Sequence, residues 1–146
     1  PYGNTNLQIS KGNSTYGTAY SYLQFLQSDL PAISSSYYVT KAYLYMALKD
    51  RPSSSVEIDA REVLGAWSDQ TITWNNQPAV GDQLLDYQYY ESSSTLNAYG
   101  TYDISNLVRK WYTDANYGIR FESRTNTNMC FNSSKRKNGR ICPAYL

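Results

Sequence analysis

The sequence predicts an all-β chain, an antiparallel β-sandwich of jelly-roll type with one short helix. Three observations carry that expectation. Apolar residues recur with a period of two in several short runs, turn-forming residues separate those runs, and only one stretch has helical spacing. The composition agrees. Hydrophobic residues supply 41% of the chain and charged ones 17%, and the sixteen tyrosines suit pleated surfaces, where a ring packs and its hydroxyl still finds a partner.

Taken in order, Leu7 to Ile9 reads as a strand. Ser21 to Phe25 puts Leu23 and Phe25 on one face until Asp29, Leu30 and Pro31 end the run. From Ala42 to Leu48, Ala42, Leu44, Met46 and Leu48 point inward while Tyr43 and Tyr45 point the other way. Arg51, Pro52 and three serines break the chain before Val56, Ile58 and Ala60 resume the alternation. Ile104, Leu107, Val108 and Trp111 follow the spacing i, i+3, i+4, i+7, which predicts the helix, with Ser105 as its N-cap. Asn116, Tyr117 and Gly118 turn the chain into a strand at Ile119 and Phe121. Two closing strands follow, Met129 to Phe131 and Arg140 to Leu146, joined through an Asn138-Gly139 turn.

One core fits this length, and no internal repeat is visible, so residues 1–146 are read as a single domain, cut at both ends from a longer protein. A net charge of +1 with scattered cations makes no stripe for a nucleic-acid backbone. The densest basic cluster, Lys135, Arg136, Lys137 and Arg140, falls at the expected hairpin tip. No apolar run spans a bilayer, which argues against membrane insertion. Cys130 and Cys142 fit a disulfide across the last hairpin, or two thiols packed on strands, equally well. With two cysteines and no histidine, a zinc site cannot be assembled.

The stretch Trp67, Ser68, Asp69, Gln70, Thr71, Ile72, Thr73, Trp74, Asn75, Asn76, Gln77, Pro78 resembles the central signature of the bacterial DNRLRE domain: a tryptophan, a polar spacer, then Thr-Trp-Asn-x-x-Pro. Leu23 and Phe25 before Leu30-Pro31, Ala42 with Leu44, Tyr102-Asp103-Ile104 running to Trp111, Asn116-Tyr117-Gly118, and Pro143 to Leu146 follow in that family's order. The resemblance implies a secreted or cell-surface bacterial module within a multidomain protein, related to some carbohydrate-binding modules. The chain departs from the family at Lys135, where the late strand usually carries a glutamate. Trp67, Thr73, Trp74, Asn75, Pro78, Asp103, Trp111 and Gly118 are read as fold residues. Trp67 and Trp74 are expected to bridge the sheets from the core, Asn75 and Asn76 to bond a turn's own backbone, and Pro78 to stop a strand.

Catalysis is not expected. Without histidine no Ser-His-Asp or Cys-His pair exists, and the aspartates fall mostly at turns. Asp and Asn at turns give a weak calcium signal, without an Asp-x-Asp-x-Asp-Gly loop; no other cofactor is implied. The first functional reading is therefore a non-catalytic extracellular module that binds polysaccharide. Its candidate residues are Tyr87, Tyr89 and Tyr90, whose rings can stack on sugars, with Arg124, Lys135 and Arg136 as partners for uronate carboxylates. The alternative is a structural or adhesive block of a large exported protein, in which neighbouring domains are the partners. A glycan-active enzyme comes third.

Overall fold

The computed structural model describes residues 6–132. The strands are β1 (Asn6–Asn13), β2 (Gly17–Ala19), β3 (Ser21–Leu23), β4 (Tyr43–Asp50), β5 (Val56–Val63), β6 (Val80–Tyr90), β7 (Tyr99–Asp103), β8 (Ile119–Ser123) and β9 (Thr127–Asn132). The helix α1 (Ser105–Trp111) joins β7 to β8. Two antiparallel sheets result, one of five strands in the order β2-β1-β9-β4-β7 and one of four in the order β3-β8-β5-β6. Apart from the β1–β2 and β5–β6 hairpins, each strand is followed by one in the opposite sheet. This is the double-wound path of a jelly roll, so the fold class is as the sequence predicts.

The period-two runs line the interior as expected. Leu44, Met46 and Leu48 face Val56, Ile58 and Ala60 across the core, joined by Ile9, Tyr102, Phe121 and Phe131, all at most 2% exposed. Each such apolar side chain contributes on the order of 1.5–3 kcal/mol by leaving water. Rings dominate the middle, where Phe121 packs edge-on against both Tyr102 and Phe131, with centroids 5.3 and 6.2 Å apart. Side chains also stitch the two sheets along one margin. Asp86 of β6 accepts the Asp103 amide at 2.7 Å, and Gln88 donates to the Thr101 carbonyl at 2.7 Å.

The helix packs as its spacing predicts, with Leu107, Val108 and Trp111 buried, but its cap differs. Ser105 is the first helical residue and Ile104 stands at the N-cap without a side-chain capping bond; the side chain that meets the first turn is that of Asp103. Its Oδ1 accepts from the Ser105 amide at 2.9 Å and from the Ser105 hydroxyl at 2.6 Å. Ser105 does not cap because it already lies inside the helix, and its hydroxyl accepts the Ala42 amide, just ahead of β4, at 2.9 Å. Gly118 has φ +87°, and a Cβ there would lie 2.1 Å from the Leu23 carbonyl oxygen. Only glycine meets both demands.

The last expected strand, Arg140 to Leu146, and its Asn138-Gly139 turn lie outside the described residues, as does Cys142. Cys130 is 1% exposed, and its thiol donates to Asp50 at 2.9 Å. Burial and that carboxylate push its pKa up to about 12.

Candidate functional site

The four-stranded sheet turns a polar and aromatic face to solvent. Because side chains alternate, the strand positions opposite Val56, Ile58 and Ala60 are Glu57, Asp59 and Arg61. Register places Tyr89 beside Glu57 and Tyr87 beside Asp59 on β6, with Glu122 beside Asp59 and Arg120 beside Arg61 on β8. Tyr22 of β3 stands next to Arg120.

Tyr87 and Tyr89 share this face, 47% and 62% exposed, with rings edge-to-face at 5.7 Å. The Tyr89 hydroxyl donates to Glu57 at 2.6 Å. That bond holds the Glu57 carboxyl below its ordinary pKa and raises that of the phenol. Tyr90 points the other way, contrary to the expectation that all three tyrosines meet a ligand. It is 5% exposed, packs on Phe131 at 5.3 Å and meets the Tyr102 hydroxyl at 3.3 Å. The strand's own alternation is the cause: residues 87 and 89 share a face and residue 90 takes the other.

Arg124 reaches the same corner, but it is not a cation awaiting a ligand. Its Nε lies 2.6 Å from Asp59 and 3.6 Å from Glu57. Asp59 itself is fully buried, and burial raises its pKa despite the guanidinium. Lys135 and Arg136 lie outside the described residues.

The opposite corner comes from the loop between β5 and β6, which carries the tryptophan signature. Its base is pinched by the Leu64 amide bonding the Ala79 carbonyl at 2.9 Å. Inside it, Asn76 accepts from the Thr73 amide and hydroxyl at 2.5 and 3.0 Å and donates to the Thr71 carbonyl at 2.9 Å. Asn76 thus makes the turn-closing bonds expected of the asparagine pair, and Pro78 precedes the start of β6. The tryptophans do not bridge the sheets. Trp74 is 55% exposed and stacks on Tyr20 with centroids 5.1 Å apart. Half-buried Trp67 packs on Tyr22 at 5.3 Å and donates to the Tyr117 carbonyl at 2.7 Å. Phe121, Phe131, Tyr102 and Trp111 already fill the interior, so the loop folds outside it, over the ends of β3 and β8.

Between the corners runs an ion-pair network. Glu122 takes Arg61 Nε at 2.6 Å on one oxygen and Arg120 on the other. The Arg120 guanidinium in turn lies 4.4 Å from the Tyr20 ring centre, a cation–π contact. Gln77 accepts from the Tyr22 hydroxyl at 3.0 Å and from Arg120 at 3.4 Å. Two buried polar atoms of this network have no protein partner, Asp59 Oδ1 and Arg120 Nε. Leaving such atoms unpaired costs about 1–3 kcal/mol each, and two more, Asn6 Oδ1 and Thr127 Oγ1, lie in the opposite sheet. Sequence reasoning found Tyr87, Tyr89 and Arg124 here but missed Tyr20, Tyr22, Arg61 and Arg120. Alternation with Val56, Ile58 and Ala60 implies an outward Arg61, yet no local signal joins it to the loop. Among the described residues no three Asp, Glu or Cys side chains converge on a point where a metal could sit, and no helix is long and apolar enough to cross a membrane.

Three strand spacings of about 4.8 Å and four residues of rise at about 3.3 Å separate the corners, roughly 20 Å in all. The face has exposed rings at both ends, and between them lies a network whose Arg61, Arg120 and Glu122 side chains are 13–18% exposed; exposed rings at that spacing suit an extended ligand. Comparison with family models matches carbohydrate-binding module family 96 to residues 1–141. The chain belongs to this family of carbohydrate-binding modules, a class that is in general non-catalytic. The search of curated proteins returns no match.

Proposed function

We propose that the chain is an exported, non-catalytic module that binds polysaccharide along the solvent face of its four-stranded sheet. The observation that carries this is the placement of two exposed aromatic groups, Trp74 with Tyr20 and Tyr87 with Tyr89, at opposite corners of one face. Rings so spaced stack on the apolar faces of sugars several units apart, and the side chains between them offer hydrogen bonds to hydroxyl groups. Secretion or display at a bacterial cell surface accords with such a ligand and with the resemblance to DNRLRE domains.

The charge pattern orients the ligand. At the Trp74 corner Arg61 and Arg120 share one carboxylate, Glu122, leaving a positive excess. At the Tyr89 corner Arg124 meets both Asp59 and Glu57, leaving a negative one. A uronate carboxylate is therefore favoured beside Arg120 and disfavoured beside Tyr89, a shift from the pairing with Arg124 expected from sequence.

The test is affinity electrophoresis against alginate, pectin, xylan and glycosaminoglycans. The wild-type chain is expected to be retarded by at least one gel. Tyr87→Ala with Tyr89→Ala, and separately Trp74→Ala, are expected to lose most of that retardation while melting within a few degrees of wild type. Full retention by both variants would move binding to another face. No retardation of a folded wild-type chain by any gel would favour the building-block reading.

A further inference from the structure

We propose that Asp59 and Glu57 are a carboxyl pair that takes up one proton in mild acid, and that this proton turns the Tyr89 corner from refusing a negatively charged ligand group to accepting one. The inference rests on the reading just given and adds a pH-dependent choice of ligand to the same face.

The two residues are successive outward positions of β5. Asp59 is fully buried. Its Oδ2 takes Arg124 Nε at 2.6 Å, while its Oδ1, closed off from solvent, meets no donor. The Glu57 carboxyl is within hydrogen-bonding reach of Asp59 and shares Arg124 with it at 3.6 Å. Two ionised carboxylates have no proton to place between them. One added proton makes the pair an acid bonded to a carboxylate, and carried on Oδ1 it ends the isolation of that buried oxygen.

The groups packed around the pair decide which member takes the proton. On β5 and β8, Arg61 and Arg120 are spent on Glu122, which stands in register with Asp59. From β6 come the Tyr87 and Tyr89 phenols, in register with Asp59 and Glu57, and Asp86, whose oxygens accept the Tyr87 and Asp103 amides. Tyr102, whose phenol senses the Asp59 charge, is kept neutral by its burial in the core. Glu57 keeps its charge, because the Tyr89 hydroxyl donates to it. Asp59 is the acceptor: burial favours its neutral form, Arg124 opposes this, and the adjoining Glu57 carboxylate adds to it. With Asp59 ionised, Arg124 faces two carboxylates and the corner carries a net negative charge. With Asp59 protonated, Arg124 faces one, and the excess is gone. Tyr89 stays bonded to Glu57 in both states, so stacking on a neutral ring does not change. A uronate stays ionised down to roughly pH 4, as carboxyls beside electron-withdrawing groups do, and it therefore meets the corner without repulsion in mild acid.

The experiment has two arms on the intact chain. Carboxyl carbon NMR of the labelled wild type, titrated without ligand, is expected to show Asp59 ionising above the ordinary aspartate range and Glu57 below the ordinary glutamate range. Isothermal titration with hexagalacturonate and with xylohexaose then compares about pH 7 with about pH 4.5. Hexagalacturonate affinity is expected to rise about fivefold in acid, the size of one removed charge at close range in a largely aqueous setting, and xylohexaose affinity to stay within about twofold. Asp59→Asn copies the protonated acid, since its amide donates to Glu57 while its oxygen still accepts from Arg124. It is expected to bind hexagalacturonate near neutrality as the wild type does in acid, with the pH dependence lost. An Asp59 that titrates at or below the ordinary range, an asparagine variant that keeps the wild-type pH dependence, or a chain that binds xylohexaose but hexagalacturonate at neither pH would each overturn the switch and leave the sheet face intact. A wild-type chain that binds neither sugar at either pH, nor any polysaccharide gel, would overturn both readings.

Discussion

Asp103 shows how much one side chain can be asked to do. It accepts from Ser105, the first residue of α1, pairs with Lys41 at 3.2 Å, and gives its amide to Asp86. The two bonds from Ser105 and the nearby ammonium hold its carboxyl down at about 2, against an ordinary 3.8. A depressed carboxyl stabilises the fold above its unfolded-state pKa, and that contribution fades as pH falls from about 4 toward 2. Asp103→Ala is expected to lose about 1 kcal/mol near neutrality, the usual net worth of a hydrogen bond, and Asp103→Asn to flatten the acid limb of melting temperature against pH. An unchanged acid limb in the asparagine variant would contradict the assignment. The Tyr-x-Tyr-Tyr run shows the residue-scale limit of sequence reading. Alternation alone separates residue 90 from 87 and 89, but which face is wet depends on a partner strand far along the chain.

At the scale of elements, legibility followed periodicity. The runs at Leu44 and Val56 and the stripe ending at Trp111 were readable because each buries one face, and a one-residue slip would expose it. β7 was not readable, since Tyr99 to Asp103 has little apolar alternation and is held through backbone pairing with β4. The tryptophan loop was misread for a different reason. Large aromatics are usually buried, and nothing local shows that Tyr20 and Tyr22 will offer a surface to stack on. The two kinds of tryptophan make a direct comparison. Trp111→Ala, emptying a site 1% exposed, is expected to cost about 3–5 kcal/mol. Trp74→Ala loses one exposed stacking contact and is expected to cost under about 1.5 kcal/mol. Chemical denaturation of the two variants side by side checks this, and equal losses would return Trp74 to the core.

For the whole molecule, the sandwich positions a face whose cations and carboxylates are already paired with one another. Such a face binds chiefly by stacking and hydrogen bonding, so affinity for a neutral glycan is expected to change less than about threefold between 50 and 500 mM salt. A uronate polymer that uses the excess charge beside Arg120 is expected to weaken visibly over the same range. The binding face is mapped by an amide and indole NMR titration of the isotopically labelled chain with an oligosaccharide that it binds. Binding along the four-stranded sheet is expected to give the largest shifts at the Trp74 indole, Tyr87, Tyr89, Glu57 and Arg120, with the outer positions of β1 and β9 still. Shifts confined to the five-stranded sheet, with those residues unmoved, would contradict it.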